Sequence, residues 1–501
     1  MTPPSSPSPP PVTTSRQLAR AVLEQVERER AFANRALSAA LDRARALAPE
    51  ERALGTELVY GVLRRQARLD RALEAVSDRG LTGLDPRVRI VLRVAAYQIL
   101  FLDRVPAYAA VNEAVEACKA LRGGARIAGL ANALLRRVAE RGEPPLPDPA
   151  RDPLGYLVEG DGLPEWLARL AIAELGGAEA VALGASVGVP APLALRANRL
   201  RTDRAGLLAR LVDERPGAEL AESVVAPDAV LVRRIDSPFL TRAFTDGLFA
   251  VEDVGAQIVA ELCGAAPGER ILDACAGLGG KSAHLAALAG NQAEIDAADI
   301  APAKLRQTRE LARRLGVRGV NTVVADLTRP WPDPSKRYHR VLLDAPCAGL
   351  GVLRRHPEAL TRRSPGDLAA LAAIQSGMLE TLAPLVLPGG SLTYSVCTFD
   401  RQECEAVVEG FLRVHANFRI EHAASAPAAG VDKLQQSAPA AGVDKLQQST
   451  VGVGNPVSMS GVAWASITDP AGFVRTWPHR HEADAFFAVR LRAGDTSLDV
   501  G

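Results

Sequence analysis

Five short apolar runs between residues 270 and 397 each end on an acid or a thiol: "RILD" on Asp273, "AEIDAAD" on Asp299, "NTVVAD" on Asp326, "RVLLD" on Asp344 and "SLTYSVC" on Cys397. Helix-like stretches or sharp turns follow all but the last, so the chain from Gly247 onward alternates strand and helix. That alternation calls for a parallel sheet covered by helices on both faces. Ligands bind such a sheet outside the carboxyl ends of its strands. One acid at a strand end is easily structural, but five polar or reactive ends predict a binding edge.

The turn after the first of these strands, "DACAGLGGKS", places Gly277, Gly279 and Gly280 where a helix opens, letting backbone N–H groups approach a ligand closely. A phosphate-binding Walker loop needs glycine where Cys275 stands. A dinucleotide fingerprint needs a third glycine where Ser282 stands. What remains is a ligand with ribose and adenine but no phosphate, and S-adenosylmethionine is that ligand. Asp299 is then expected on the ribose hydroxyls and Asp326 on the adenine amine.

Asp344, Cys347 and Cys397 must serve the methyl acceptor. Carbon 5 of a pyrimidine is a poor nucleophile, and a thiolate adding to carbon 6 activates it. Asp344 is expected near N3 of cytosine, supplying a proton or hydrogen bond to the developing charge. Two thiols suit the sequence, one to add and one to assist release. An inert buried thiol is the plain alternative for either cysteine alone.

The rest of the chain sets the context. Of its 501 residues 48% are hydrophobic and 23% charged, with a net charge of +1, so no global field draws it to nucleic acid or membrane. Its cations are nearly all arginine, which suits bidentate phosphate contacts. The six cysteines (118, 263, 275, 347, 397, 404) form no CxxC pair, which argues against a zinc site or disulfide framework and for a reducing, cytoplasmic setting. No apolar run reaches the roughly 18 to 20 residues of a membrane helix, and the Pro/Ser-rich start is no signal peptide. We expect no membrane, no metal and a monomer.

We read residues 1–14 as a disordered Pro/Ser tail and 15–142 as an all-α domain, from its apolar residues at three- and four-residue spacing. Residues 150–236 read as a small mixed α/β unit and 237–493 as the α/β domain. Within 421–455 "SAPAAGVDKLQQ" occurs twice in tandem, which predicts a flexible insertion, and "EADAFFAVRLRA" predicts a closing strand at the sheet edge.

The stretches "ILDACAGLGGKSAHLA", "DAPCAGLGVLRRHPE" and "GGSLTYSVCTFDRQECEAVV" resemble the Sun/NOL/NOP family of RNA cytosine-5 methyltransferases. "RALGTELVYGVLRRQARLDRALE" and "VPAYAAVNEAVEACK" resemble the NusB-like RNA-binding domain. The resemblance implies a Rossmann-like class I methyltransferase fold behind a NusB-like domain, and methylation of carbon 5 of a cytosine in 16S ribosomal RNA. A transfer RNA substrate, or a non-catalytic ribosome-assembly factor, are the alternatives. It further implies that Cys397 is the nucleophile and that Cys347 assists release. The cofactor loop becomes Cys275, Ala276, Gly277, Leu278, Gly279, Gly280 and Lys281, with Asp299, Asp326 and Asp344 as further contacts. The family loop usually reads C-A-A-P-G-G-K, so Gly277 and Leu278 depart from it. Arg354, Arg355 and His356 are candidates for RNA phosphate contacts, against a solvated basic turn.

Overall fold

The computed structural model describes residues 12–235, 237–423 and 461–495. The tandem repeat and most of the Pro/Ser tail lie outside them. The chain divides into two compact units, one of residues 1–190 with 353–363, the other of 191–352 with 364–501.

The first unit is helical: α1 (Ser15–Glu29), α2 (Ala33–Arg43), α3 (Pro49–Arg64), α4 (Gln66–Glu74), α5 (Pro86–Phe101), α6 (Ala107–Lys119), α7 (Gly124–Arg141), then α8 (Pro153–Glu159), α9 (Glu165–Leu175) and α10 (Gly177–Val187). Thr14 caps α1 by accepting from the Gln17 N–H, and Leu18, Val22 and Val26 form its buried stripe. Asp85 and Pro86 start α5, which is buried on nearly every side from Val88 to Gln98 and packs against α1, α3, α4, α6 and α7. Its one buried cation, Arg93, is held bidentate by Asp70 at 2.7 and 2.8 Å.

The short segment Leu353–Arg363 leaves the second unit and joins these helices. Leu353, Leu360, Arg354 and Glu358 are buried there. Glu358 accepts from the Ala33 N–H at 3.2 Å, and the Arg354 carbonyl accepts from Arg64 at 3.3 Å. Arg362 donates to the Ala31 carbonyl at 2.6 Å. Arg354, a candidate for phosphate contact against a solvated basic turn, is 5% exposed, so its side chain is not on a solvated turn.

The second unit opens with β1 (Leu193–Ala197), α11 (Arg204–Glu214), β2 (Glu219–Glu222), β3 (Ala229–Arg234), α12 (Arg242–Thr245) and β4 (Phe249–Val251), whose strands form an antiparallel sheet in the order β2-β3-β1-β4. The larger sheet follows: α13 (Val254–Cys263), β5 (Arg270–Asp273), α14 (Gly280–Leu288), β6 (Glu294–Asp299), α15 (Pro302–Leu315), β7 (Val320–Val324), β8 (Tyr338–Asp344), α16 (Pro365–Leu382), β9 (Val386–Val396), α17 (Glu405–Val414), β10 (Phe418–Glu421), β11 (Val474–Arg475) and β12 (Phe487–Ala493). Its order is β10-β12-β9-β8-β5-β6-β7, with the five strands from β9 to β7 parallel. Alternation along β8 sends Val341 and Leu343 into one core and Leu342 into the other, so both faces are covered.

Two differences from the expectations have physical causes. The closing strand β12 is not an edge: it pairs antiparallel with β9 on one side and β10 on the other, because Phe418–Glu421 supplies a further strand. Among the described residues one helix has membrane-span length, Pro365–Leu385, with mean hydropathy 1.3, its apolar run interrupted by Asp367 and Glu380. It is nonetheless a layer of this domain, burying Gln375, Met378, Leu379 and Leu382 and packing against α17.

Candidate active site

The strand order reverses beside β5, whose neighbours are β6 and β8, and this switch point is where a sheet of this kind leaves a crevice. The turn after β5 is tied to β6 by its backbone: Ala276 N–H donates to the Ala298 carbonyl at 2.7 Å, and Gly277 N–H donates to Asp299 Oδ2 at 3.1 Å. Gly277 and Gly279 both take left-handed φ, +59° and +83°. A Cβ on Gly279 would also stand 2.4 Å from Thr308, so that position is closed to any side chain. At Gly277, where the family has alanine, the left-handed φ suits glycine. Leu278 is 56% exposed at the tip, and Cys275 is half-buried behind it, its thiol pushed up by burial and the surrounding acids.

Asp299 is 6% exposed and accepts from Ala301 N–H at 2.8 Å and Lys304 Nζ at 3.2 Å. Ile300 beside it is 63% exposed, an apolar flank that sequence reasoning passed over. Asp326 lies two residues beyond β7 and bonds within its own loop, accepting from Thr328 N–H at 3.0 Å and its hydroxyl at 2.7 Å. Those bonds lower its pKa. Asp273 does not reach the edge. It is buried and accepts from Ser282 Oγ at 2.6 Å, and burial raises its pKa to about 6.

The groups expected to serve the methyl acceptor meet where β8 and β9 pair, with Asp344 opposite Ser395. Asp344 accepts from Ser395 Oγ at 2.9 Å and Lys281 Nζ at 2.6 Å. Cys347 and Cys397, fifty positions apart in sequence, bring their Sγ atoms to 3.2 Å. The hydrogen bond with Cys397, then burial, pushes the Cys347 thiol well up. Two groups here escaped sequence reasoning. Glu403 is fully buried and accepts from Ala348 N–H at 3.1 and 3.0 Å, and Gln375 donates to it at 2.7 Å. Burial, then the Asp400 carboxylate, pushes the Glu403 carboxyl up.

A second polar cluster lies elsewhere in this unit. Buried His284 stands 3.7 to 4.0 Å from Asp228, Glu252 and Glu261, and its ring nitrogens lack hydrogen-bond partners among the described residues. Arg199 pairs with both Asp228 and Glu261 at 2.6 Å, and Arg196 pairs with Glu252 at 2.6 Å. Burial, then the two arginines, hold the imidazole pKa well down. A cation here would have to displace Arg199, so the donor set does not fit a metal.

Residues 262–492 match the family model described as 16S rRNA methyltransferase RsmB/F, and residues 13–140 match the NusB family. The chain is 38% identical over 81% of its length, and 89% of the relative's, to the ribosomal RNA small subunit methyltransferase B of Thermus thermophilus. It is 36% identical over 81%, and 91% of the relative, to the probable ribosomal RNA small subunit methyltransferase B of Synechocystis. The crystal structure of PH0851 shares the fold, with a TM-score of 0.72 and 24% identity over 97% of this chain and 100% of that one. Parallel sheet, glycine-rich turn and NusB-family helices together define an RNA methyltransferase. The chain belongs to the 16S rRNA methyltransferase RsmB/F family.

Proposed function

We propose that the protein methylates carbon 5 of a cytosine in 16S ribosomal RNA, using S-adenosylmethionine, through a covalent bond between Cys397 and carbon 6. The observation that carries this reading is the 3.2 Å approach of Cys347 and Cys397 beside Asp344. Methylation of a base oxygen or nitrogen needs no thiol, whereas carbon 5 needs a nucleophile that adds and then leaves.

The turn fits the cofactor. Its glycines leave the backbone open, Asp299 and Asp326 keep acceptor capacity for a ribose and an amine, and Ile300 offers an apolar flank for adenine. When bound, the cofactor supplies an electrophilic methyl group. The chain's own residues do the rest.

The Cys397 thiolate adds to carbon 6, and the ring electrons move toward carbon 5 and N3. Asp344, paired with the Lys281 ammonium, is an acceptor, so it receives a hydrogen bond from the cytosine amine rather than donating a proton. Lys281 places its positive charge beside the developing negative charge. After transfer the carbon 5 proton passes to solvent, the carbon–sulfur bond breaks, and its electron pair returns to the Cys397 sulfur. Cys347, kept a thiol by its raised pKa, donates toward that departing sulfur.

The test incubates the protein with methyl-labelled cofactor and unmodified small-subunit RNA, then digests the RNA to nucleosides. Label in 5-methylcytidine, lost in Cys397→Ala and converted to a trapped protein–RNA adduct in Cys347→Ala, is the expected result. Label in any other nucleoside overturns the reading.

A further inference from the structure

We propose that Glu403, with Gln375, is the positioning residue of the Cys347 loop, and that this pair sets the release step without touching RNA or cofactor. The inference rests on the covalent reading above.

Two side chains hold the backbone on either side of Cys347. Gln375 Nε2 donates to the Pro346 carbonyl at 2.9 Å, just before the cysteine. Glu403 accepts from the Ala348 N–H, just after it. One clamp thus spans the three residues, and its two jaws are bonded to each other at 2.7 Å. Tyr394 closes the ring, its hydroxyl lying 3.0 Å from Gln375 Oε1 and donating to the Glu403 carbonyl at 2.6 Å.

The clamp also refers the loop to its partner thiol. Glu403 sits six residues after Cys397, and its own N–H donates to Asp400 at 3.0 Å, whose other oxygen accepts from Thr398 Oγ1 at 2.8 Å. Both sulfurs are therefore built on one framework: Cys397 leads into the turn that carries Glu403, and Glu403 holds the loop that carries Cys347. Loop-to-strand bonds at Ala345 N–H to the Ser395 carbonyl and Gly351 N–H to the Cys397 carbonyl, each 2.9 Å, fix the loop's ends. The clamp fixes its middle.

A carboxyl group with no exposure and, among the described residues, no cation in hydrogen-bond contact is a costly choice for mere packing. A fully apolar side chain would fill the same space at lower cost, but it would leave the Ala348 N–H without this acceptor. Proton donation across a 3.2 Å sulfur pair is sensitive to small displacements, and an error of about 1 Å costs on the order of a hundredfold in rate.

The experiment compares Glu403→Gln, Gln375→Met, Cys347→Ala and the Glu403→Gln/Cys347→Ala double variant of the full chain, reading adduct formation and adduct decay separately in single turnover. In Glu403→Gln the amide brings a second donor against Gln375. Adduct should form within about threefold of the parent rate and decay at least tenfold more slowly. In the double variant decay should equal that of Cys347→Ala alone, because a residue acting through Cys347 has nothing left to act on. If the two effects multiply, or if Glu403→Gln slows formation and decay equally, the proposal is overturned. Should Glu403→Gln fail to fold, Gln375→Met, which releases the Pro346 jaw, must show the same selective slowing or the proposal falls. If Cys347→Ala itself traps no adduct, the covalent reading has failed instead.

Discussion

Lys281 Nζ stands 2.6 Å from Asp344 Oδ2, so the first residue beyond the glycine-rich turn is ion-paired to the acid that ends the strand on the far side of β5. The glycine-rich turn after β5 and the end of β8 are thereby joined by one bond. Burial works against the lysine's charge, but Asp344, with Glu252 and Asp273 behind it, outweighs burial and holds the ammonium above the ordinary lysine value. Lys281 also lies 5.4 Å above the Phe486 ring.

Removing one member of such a pair leaves a poorly hydrated charge. Lys281→Met should destabilise the protein by about 3 kcal/mol and lower methyl transfer at least a hundredfold. Lys281→Arg keeps the charge but not the compact geometry, and should fall between. Urea unfolding measures the first effect, transfer of labelled methyl to RNA the second, and calorimetric titration with S-adenosylmethionine the cofactor affinity. Cofactor affinity and turnover unchanged in Lys281→Met would exclude the role.

The two reacting sulfurs are close enough to oxidise to each other. Hydrogen peroxide takes two electrons and two protons from the Cys347–Cys397 pair and leaves two waters. The sulfurs need approach by only about 1 Å to reach disulfide distance. Peroxide-treated protein should lose activity, lose two hydrogens in mass at the peptides carrying these residues, and recover fully with dithiothreitol. Cys347→Ala should give no such cross-link. A cross-link to Cys404, which is buried where Cys347 and Cys397 are only half-buried and which bonds toward the Thr398 carbonyl at 3.8 Å, would contradict the geometry.

The strand ends were legible in the sequence because an apolar run stopped by an acid or thiol is a local pattern, and β5, β6, β8 and β9 lie where those runs stand. Which ends face ligand was not. Asp273 sits under Ser282, and Asp273 and Asp344 look alike until helix α14 is in place. Glu403 and Gln375 had no local signal at all: one lies in the turn before α17, the other within α16, and only the closing of both around Cys347 distinguishes them from surface residues. The signal available was an acid six residues past a reactive cysteine, and nothing in its neighbours foretold burial. Residues 353–363 gave no local signal of burial either: Arg354, Arg355 and His356 read as phosphate contacts or a solvated basic turn, whereas Leu353, Arg354, Glu358 and Leu360 are buried.

Asp161 gives the helical unit a pH-dependent weakness. Burial raises its pKa to about 7, against the pull of Arg68 and Arg65, and its Oδ2 is buried without a hydrogen-bond partner among the described residues. A carboxyl whose folded pKa exceeds the unfolded value of about 3.9 costs stability as pH rises. The loss begins near the unfolded pKa and is complete above the folded one. Asp161→Asn removes the titration, so its advantage over the parent should grow by about 2–3 kcal/mol between pH 5 and pH 8. Thermal unfolding at the two pH values checks this, and an advantage that shrinks with pH would reverse the sign.

Two glycines in the helical unit should respond oppositely to alanine. Gly61 lies on α3 against α5, and a Cβ there would stand 2.1 Å from the Tyr97 ring. The ring cannot retreat freely, because Tyr97 is 5% exposed and its hydroxyl donates to Glu57 at 2.5 Å. Gly61→Ala should therefore force the helices apart and cost about 1–3 kcal/mol. Gly129 lies in the interior of α7, with no heavy atom within 4 Å of its Cβ position and no left-handed φ. There alanine only reduces the freedom of the unfolded chain, and Gly129→Ala should stabilise by about 0.4–1 kcal/mol. Denaturant midpoints measured on both variants decide the matter. A stabilised Gly61→Ala would mean that α3 and α5 do not approach as closely as the Tyr97 contact requires.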